Sequence, residues 1–350
     1  MRKYKTDAIQ DRNGRYVNPW STWNDSSTSV SNVVNMMKYR AEENFKPDST
    51  NPEVEKSLPV FKPLFKELSS HLQATWLGHA SVLFNINKFK ILADPVFSDR
   101  CSATQFAGPK RYRPTPCTAS ELPKLDFIII SHNHYDHLDS NSIRDIGNAN
   151  GEEAIWLVPD GDGDLIRSIL SNKNSTIVEM KRWNEYHHQK DDREIKITFV
   201  PAQHWSGRNV IFDRNKSHWG GYVLESAGKK IFFAGDSGYC DGFKEIGSVF
   251  NEIHLAAIPI GAYFPRDFFK CQHVDPIEAV QIHVDVKSKY SFGIHWGTFP
   301  LTYEGFDRPR TDLKKALADK SIAEKYFTTI NMGKCLCVPY NENEEAFIQE

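Results

Sequence analysis

Three imidazoles and one carboxylate lie within six consecutive residues of this chain: His132, His134, Asp136 and His137. They directly follow the apolar run 125–130, which has the composition of a strand buried on both faces. On an extended backbone His132 and His134 point the same way, and Asp136 and His137 face them after the turn. Imidazole nitrogens and carboxylate oxygens suit Zn²⁺, with iron or manganese as alternatives. The sequence therefore predicts a metal site at the end of a buried strand.

Four side chains cannot complete the coordination of two metal ions, so further ligands must come from elsewhere in the chain. His204, Asp236 and His295 each stand at the end of another apolar, strand-like run. Taken singly, each is read equally well as a hydrogen-bonded residue at a strand edge. The simplest arrangement that brings these three residues to the first cluster has several strands ending along one edge of the sheets. We predict this arrangement and call the edge the rim.

Apolar, β-branched runs separated by polar turns begin at Thr75. The runs 75–86 and 88–97 read as the two strands of a hairpin. Strands predominate in the first half of the chain and alternate with helices in the second, which indicates stacked layers with sheets inside and helices outside. A length of 350 residues allows one large domain or two. We predict an extension over residues 1–70 that wraps a catalytic domain over residues 71–350.

Composition excludes several classes of function. Lys and Arg total 43 against 45 Asp and Glu, and a net charge of -2 argues against a nucleic-acid partner. The longest mainly apolar stretch, 253–264, is shorter than the roughly 20 residues that span a bilayer, so no transmembrane segment is expected. The polar N-terminus lacks the apolar core of a secretory signal and favours an intracellular location. Six scattered cysteines predict reduced thiols.

The pattern His-x-His-x-Asp-His with a later His, then Asp, then His resembles the metallo-β-lactamase superfamily. The resemblance implies an α/β fold of four layers, an αβ/βα sandwich in which two mixed β-sheets are flanked by helices. It also implies two Zn²⁺ ions. The implied ligands are His132, His134 and His204 for one ion, Asp136, His137 and His295 for the other, and Asp236 as the bridge between them. His79 and Asp94 would hydrogen-bond the ligands from behind.

Further segments narrow the resemblance because they include loops outside the ligands. They are similar to the N-acylphosphatidylethanolamine-hydrolysing phospholipase D family over about residues 14 to 310. These segments are GRYVNPW (14–20), TWLGHASVLF (75–84), FAGPKRYRP (106–114), HNHYDHLD (132–139), PAQHWSGR (201–208), GDSGY (235–239), QHVDP (272–276) and IHWGTF (294–299).

The family implies hydrolysis of an N-acylphosphatidylethanolamine to phosphatidic acid and an N-acylethanolamine at a membrane surface. Paired zinc ions would lower the pKa of water toward 7 and clamp both oxygens of an in-line displacement, so no covalent nucleophile is needed. The expected partners are the lipid substrate and a membrane surface, with peripheral attachment at the cytoplasmic face. Assembly as a homodimer is left open.

The same resemblance assigns roles around the phosphate. The residues expected to contact substrate are Gln105, Phe106, Tyr135 and Gln272. The expected catalytic residues are Asp136 and His273, with His273 as the proton donor to the leaving alkoxide. Because His273 precedes an apparent helix start at Asp275, a capping or surface role for this histidine stays open.

The ligand pattern is specific for the superfamily rather than for its substrate, so other functions compete. A nuclease would be expected to carry a basic surface or an RNA-binding arm, and neither is evident. A lactonase acting on a small sugar phosphate is the stronger rival among enzymes. A non-catalytic scaffold or lipid sensor is the alternative outside enzymes, but all seven ligand positions hold metal-capable residues.

Overall fold

The computed structural model describes residues 6–24, 52–150, 153–209, 212–341 and 343–349. The rest of the predicted N-terminal extension, residues 1–5 and 25–51, lies outside the described residues. The strands are β1 (Ile9–Gln10), β2 (Tyr16–Val17), β3 (His71–Gly78), β4 (Ser81–Ile86), β5 (Phe89–Ala93), β6 (Phe127–Ile129), β7 (Ile155–Pro159), β8 (Ile177–Met180), β9 (Glu185–Lys190), β10 (Arg193–Val200), β11 (Gly221–Ser226), β12 (Lys229–Phe233), β13 (Ile253–Pro259), β14 (Ser288–Ile294), β15 (Phe327–Thr328), β16 (Cys335–Pro339) and β17 (Phe347–Gln349). The helices are α1 (Pro52–Ser57), α2 (Ser140–Asn150), α3 (Gly163–Ile169), α4 (Gly242–Phe250), α5 (Arg266–Phe269), α6 (Pro276–Asp285) and α7 (Arg308–Asp319), with a 3₁₀ turn at Ala119–Glu121.

Two large mixed sheets dominate the fold. The first has the strand order β17-β16-β3-β4-β5-β6-β7-β8 and the second β15-β14-β13-β12-β11-β10-β9. In the first sheet, pairing is antiparallel from β17 to β5 and parallel from β5 to β8. In the second it is antiparallel from β9 to β12 and parallel from β12 to β15. Each sheet therefore has one antiparallel half and one parallel half.

The apolar core fills the space between the two sheets and continues under the helices. Successive residues of β7 show this, because Leu157 belongs to the core between the sheets while Trp156 and Val158 pack in the cluster under α2 and α3. The Phe84 and Phe233 rings, from β4 and β12, approach to 6.1 Å between centroids. The layers run helix, sheet, sheet, helix, which confirms the predicted four-layer sandwich.

The predicted hairpin of runs 75–86 and 88–97 is wrong in detail, because the first run folds back on itself. Strands β3, β4 and β5 form a three-stranded antiparallel meander whose first turn lies at His79 and Ala80. Gly78, which ends β3, and His79 both have positive φ angles, +104° and +53°. Residues other than glycine rarely adopt this left-handed backbone conformation. His79 is therefore held in a strained backbone position of the kind that clusters at functional sites.

No helix among the described ranges is both long enough and apolar enough to cross a bilayer. Residues 6–24 contact α4 and the segment after β10, because the Thr6 N–H donates to Glu245 and the buried Trp20 donates to the Ala202 carbonyl. The division into an extension and a catalytic domain at residue 70 stays a prediction.

Candidate metal centre

The candidate ligands lie at one edge of the sandwich, where strands from both sheets have their carboxyl ends. His132 follows β6 of the first sheet, while His204, Asp236 and His295 follow β10, β12 and β14 of the second. This is where loops after parallel strands gather in open α/β sheets. The structure therefore brings the first cluster and the three distant candidates to one rim, as the sequence predicts.

Three histidines form the first group. The His132 Nε2 and His134 Nδ1 atoms are 2.8 Å apart, and His204 Nε2 lies 3.2 Å from the same His134 nitrogen. One ring nitrogen from each residue falls within 4.8 Å of the other two. This spacing allows three imidazoles to share one metal ion.

The second group gathers around the Asp136 carboxylate. Its Oδ2 atom lies 3.5 Å from His137 Nε2, 3.3 Å from His295 Nε2 and 2.9 Å from His79 Nε2. His79, expected to act from behind, thus reaches the carboxylate directly. The backbone supports this contact, because the His295 N–H donates to the His79 carbonyl at 2.9 Å.

Asp236 lies between the two groups. Its Oδ2 atom is 3.1 Å from His137 Nε2, 3.0 Å from His295 Nε2 and 3.9 Å from His204 Nε2. The Asp236 carboxylate is buried, with only 3% of the residue exposed. A single carboxylate within reach of both groups has the position that a bridging ligand requires.

The polar atoms of this rim fit cations. Asp236 Oδ1 is buried without a hydrogen-bond partner among the described residues. Burial disfavours the ionised form of Asp236, but His137 and His295 outweigh it and hold the pKa of this carboxyl well below its usual value. Burial likewise lowers the pKa of His132 and His134, so both are neutral and able to ligate. Buried carboxylates and uncharged imidazoles with free lone pairs are the donor set of a divalent metal site.

A second set of contacts orients the ligands. Asp94 Oδ2 accepts from His137 Nδ1 at 2.6 Å, and both Asp94 oxygens are bonded by Ser131. The Gln272 carbonyl lies 2.9 Å from His204 Nδ1, which leaves His204 Nε2 for the metal. Such partners fix the tautomer and direction of a ligating imidazole.

His273, the predicted catalytic residue outside the predicted ligand set, lies close to the ligands. Its ring centroid lies 5.2 Å from that of His204 and 5.4 Å from that of His295, and its Nδ1 atom is 3.7 Å from Asp236 Oδ2. Burial lowers the pKa of His273 well below its usual value. His204, Asp236 and His273 also form a group that could hold a metal. His273 follows α5 and precedes α6, whose N-cap is the Asp275 side chain, so it is not a capping residue.

The predicted substrate contacts differ in how near they lie to the ligands. Tyr135 is half-buried within the ligand loop, and Phe106 is 85% exposed in the loop between β5 and β6. Gln105 uses its amide within that loop, bonding both the N–H and the carbonyl of Arg100. Gln272 accepts from the Trp205 indole at 2.8 Å, so its side-chain oxygen is already engaged.

The sequence pattern did not single out three residues that shape the site. The Trp205 ring packs edge-on against His134, with centroids 4.1 Å apart. Arg208 stacks over Tyr135 and donates to the carbonyls of Asn133 and Leu138. The Asn133 amide bonds Asp162, Ser217 and the Gly207 N–H. Their positions next to His134 and His204 were the only available signal.

Comparison with known proteins agrees with this architecture. A family model described as the β-lactamase superfamily domain matches residues 90–296. The chain is 38% identical over 333 residues to N-acyl-phosphatidylethanolamine-hydrolyzing phospholipase D 1 of Caenorhabditis elegans, with 92% of each chain covered. It is 37% identical over 243 residues to the mitochondrial N-acyl-phosphatidylethanolamine-hydrolyzing phospholipase D of Saccharomyces cerevisiae, covering 69% of this chain and 50% of that protein.

Solved structures support the fold. A metallo hydrolase from Ignicoccus hospitalis superposes with a TM-score of 0.52 at 18% identity, covering 80% of this chain and 99% of that one. The matched family model, the extent of identity and the rim of buried ligands agree. The chain belongs to the metallo-β-lactamase superfamily and, within it, to the N-acylphosphatidylethanolamine-hydrolysing phospholipase D family of metal-dependent hydrolases.

Proposed function

We propose that this protein hydrolyses N-acylphosphatidylethanolamine to an N-acylethanolamine and phosphatidic acid, using two Zn²⁺ ions. One observation carries the proposal: two groups of buried ligands meet at Asp236 in a chain that is 38% identical, over 92% of its length, to a phospholipase named for this substrate. His132, His134 and His204 would hold one ion, and Asp136, His137 and His295 the other. Asp236 would bridge them.

The reaction joins the oxygen of water to phosphorus and breaks the bond from phosphorus to the ethanolamine oxygen, which takes up a proton. Bound divalent ions would supply Lewis acid polarisation of the phosphoryl group and a lowered pKa for water. The protein holds Asp136 and Asp236 ionised between imidazoles, so that the metal ligands need no reorganisation. No serine or cysteine nucleophile is required by this route.

His273 and Tyr135 are proposed to act on the phosphate. The His273 ring stands beside both ligand groups, where the N–H of a neutral imidazole would donate a hydrogen bond to the leaving oxygen. The proton that this oxygen takes up would come from the attacking water. Tyr135 lies in the ligand loop itself and is fixed by Arg208, whose guanidinium carbon is 3.9 Å from the ring centroid. A rigid Tyr135 hydroxyl would orient the phosphate before the bond breaks.

Phe106, Gln105 and Gln272 are proposed to serve the lipid end of the site. The exposed Phe106 ring is suited to acyl chains or to a bilayer surface, which implies peripheral action at a membrane. Gln105 stabilises the loop that carries Phe106 through its two bonds to the Arg100 backbone, and Gln272 accepts a hydrogen bond from Trp205. Direct contact of either glutamine with substrate would require its present bonds to open. The cytoplasmic face and a homodimer stay predictions.

The test is hydrolysis of N-acylphosphatidylethanolamine in mixed micelles, with the protein first depleted of metal by a chelator and then reloaded with Zn²⁺. We expect release of phosphatidic acid that disappears on chelation and returns with two equivalents of zinc. Asp236→Asn should lose at least about 100-fold in turnover, since even partners outside the ligand set cost 10–100-fold.

A small sugar-phosphate lactone and a long-chain phosphodiester without the N-acyl group are assayed in parallel. Metal-dependent turnover of the lactone alone would keep the metal centre and overturn the lipid substrate. Turnover of the lipid that survives complete removal of metal would overturn the metal-dependent route.

A further inference from the structure

A short segment of the N-terminal region lies against the backbone that carries His204. We call residues 15–24 the N-terminal strap. Its Asn18 Nδ2 atom donates to the His204 carbonyl at 2.6 Å, and its Trp20 indole N–H donates to the Ala202 carbonyl at 3.2 Å. Its Thr22 hydroxyl donates to the Gln203 side-chain oxygen. Three consecutive residues of the ligand segment are thus each bonded by the strap.

The ligand segment has little regular structure of its own to hold it. Strand β10 ends at Val200, and beyond it an isolated bridge between Gln203 and Gly238 ties the segment to the loop after β12. His204 is 1% exposed and Ala202 is fully buried, so their carbonyls are shielded from water. A buried carbonyl without a partner costs about 1–3 kcal/mol. The strap supplies a donor to each carbonyl from a part of the chain more than 180 residues away, and the Ala202 carbonyl also accepts from the Trp219 indole at 3.3 Å.

Gln203 extends the effect of the strap to the other ligand loops. The Gln203 amide donates to the Cys271 carbonyl at 2.9 Å, two residues before His273. Its backbone N–H donates to Ser237 Oγ at 2.8 Å, next to Asp236. Because Thr22 fixes the oxygen end of the Gln203 amide, its nitrogen end is directed at Cys271. Strap, His204 segment and His273 loop form one hydrogen-bonded unit.

Asn18 is the residue in the strap that bears most directly on a ligand. Its Oδ1 atom is buried without a hydrogen-bond partner among the described residues. An apolar side chain of similar volume would avoid the cost of burying that oxygen. The reason for an amide at this position is therefore its N–H group, which donates to the His204 carbonyl.

We propose that the N-terminal strap is a positioning element of the metal centre, in which Asn18 sets the position of His204. The inference rests on the proposed metal centre. His204 is then held from two sides, by Gln272 at its ring and by Asn18 at its backbone. Loss of the Asn18 bond lets the His204 backbone shift to find another donor, which moves its Nε2 atom away from His132 and His134. Displacements of this kind typically cost 10–100-fold in metal affinity.

The test uses the full chain, depleted of metal and titrated with Zn²⁺ against a chromophoric chelator, and separately with Co²⁺ to record its visible spectrum. Asn18→Leu keeps the branching at Cγ, removes the buried unpaired oxygen and removes the N–H donor. We expect one of two zinc sites to weaken about tenfold, with an altered cobalt spectrum and a melting temperature of the metal-free chain near that of the wild type. The matched control is Asn13→Leu, at an exposed turn just before the strap, which should change neither site.

The outcomes separate the inference from the proposed function. Wild-type affinity at both sites and an unchanged cobalt spectrum in Asn18→Leu would overturn the positioning role and leave the metal centre standing. A wild-type chain that binds no zinc would overturn the proposed function itself. If Asn18→Leu does not fold, Asn18→Ala is measured instead, since it removes the same N–H donor to the His204 carbonyl with a smaller side chain. Unchanged affinity in that folded variant would equally overturn the positioning role of Asn18.

Discussion

Asp94 shows at the scale of one residue how the site depends on groups that never touch a metal. It is fully buried, and its oxygens accept from the Ser131 N–H, the Ser131 hydroxyl and His137 Nδ1. In Asp94→Asn an amide replaces one acceptor, so the His137 imidazole loses its fixed tautomer. We expect zinc affinity to fall about 10–100-fold, measured by chelator competition.

The matched control for this change is Asp99→Asn, at an exposed position in the following loop. It should leave zinc affinity as in the wild type. Equal zinc binding by Asp94→Asn and wild type would show that His137 is oriented by its other contacts alone.

His273 raises a different question, because it is close enough to the ligands to be one of them. If it serves as donor to the leaving group, His273→Ala should lose about 100-fold or more in turnover while zinc content stays at two equivalents. Zinc content is measured by elemental analysis after gel filtration. Loss of one equivalent of zinc would instead make His273 a ligand, and full turnover would remove it from the reaction.

At the scale of elements, Arg208 joins two loops that carry ligands. Its Nη1 atom donates to the Asn133 carbonyl at 3.1 Å and to the Leu138 carbonyl at 2.7 Å, on either side of the ligand loop. Lysine at this position cannot span both carbonyls or stack on Tyr135 in the same way. We expect Arg208→Lys to lower the free energy of unfolding by about 1.5–3 kcal/mol, measured by urea denaturation.

Arg144→Lys, on the exposed face of α2, is the control for Arg208→Lys and should lie within about 0.5 kcal/mol of the wild type. If Arg208→Lys is equally stable, the two loops are held together by the Asn133 amide network without help from the guanidinium.

Helix α6 carries a buried histidine that predicts a pH dependence of stability. Burial lowers the pKa of His283 to about 4, and its Nδ1 atom lies 2.8 Å from Ser291 Oγ of β14. The unfolded chain takes up a proton near pH 6.5, whereas the folded chain resists it until about pH 4. The stabilisation is therefore complete above pH 6.5 and is lost as pH falls toward 4.

His283→Asn keeps a partner for Ser291 and removes the titrating group. Between pH 7 and pH 4.5 we expect the wild type to lose about 2–3 kcal/mol more unfolding free energy than this variant. Urea denaturation at several pH values measures the difference. Parallel curves for the two proteins would show that His283 does not titrate in this range.

The elements that carry ligands could be predicted from sequence because each depends on local pattern. Apolar runs such as 125–130 form the buried strands, and a histidine or aspartate just beyond a run predicts the rim. The turn at His79 was missed because the run 75–86 is apolar on both sides of it. The sequence does not single out Asn18, Asn133 and Arg208, because their partners lie between 29 and 186 residues away and ordinary polar residue types carry no local signal for such contacts.

At the scale of the whole molecule, the proposed metal centre lies at one edge of the sandwich, and two exposed aromatic side chains lie on loops tied to that edge. The loop carrying Phe106 is tied to the ligand loop, because the Ser98 N–H donates to Asp139. The loop carrying Phe212 is tied to the same region through Arg208. Phe106 is 85% and Phe212 68% exposed. Under the proposed function, a membrane surface at this edge would cover both rings and deliver the lipid substrate to the proposed metal centre.

Phe106→Ser tests this arrangement. Burying a phenylalanine in an apolar phase contributes about 1.5–3 kcal/mol, so the variant should bind phosphatidylethanolamine vesicles at least about tenfold more weakly in a flotation assay. Its turnover of a short-chain, water-soluble phosphodiester should match the wild type, because Phe106 is not among the metal ligands. Phe347→Ser, at an exposed position of β17, is the control and should bind vesicles normally. Equal losses on vesicles and on the soluble phosphodiester would place Phe106 inside the catalytic site, and wild-type vesicle binding would move the membrane contact to another face.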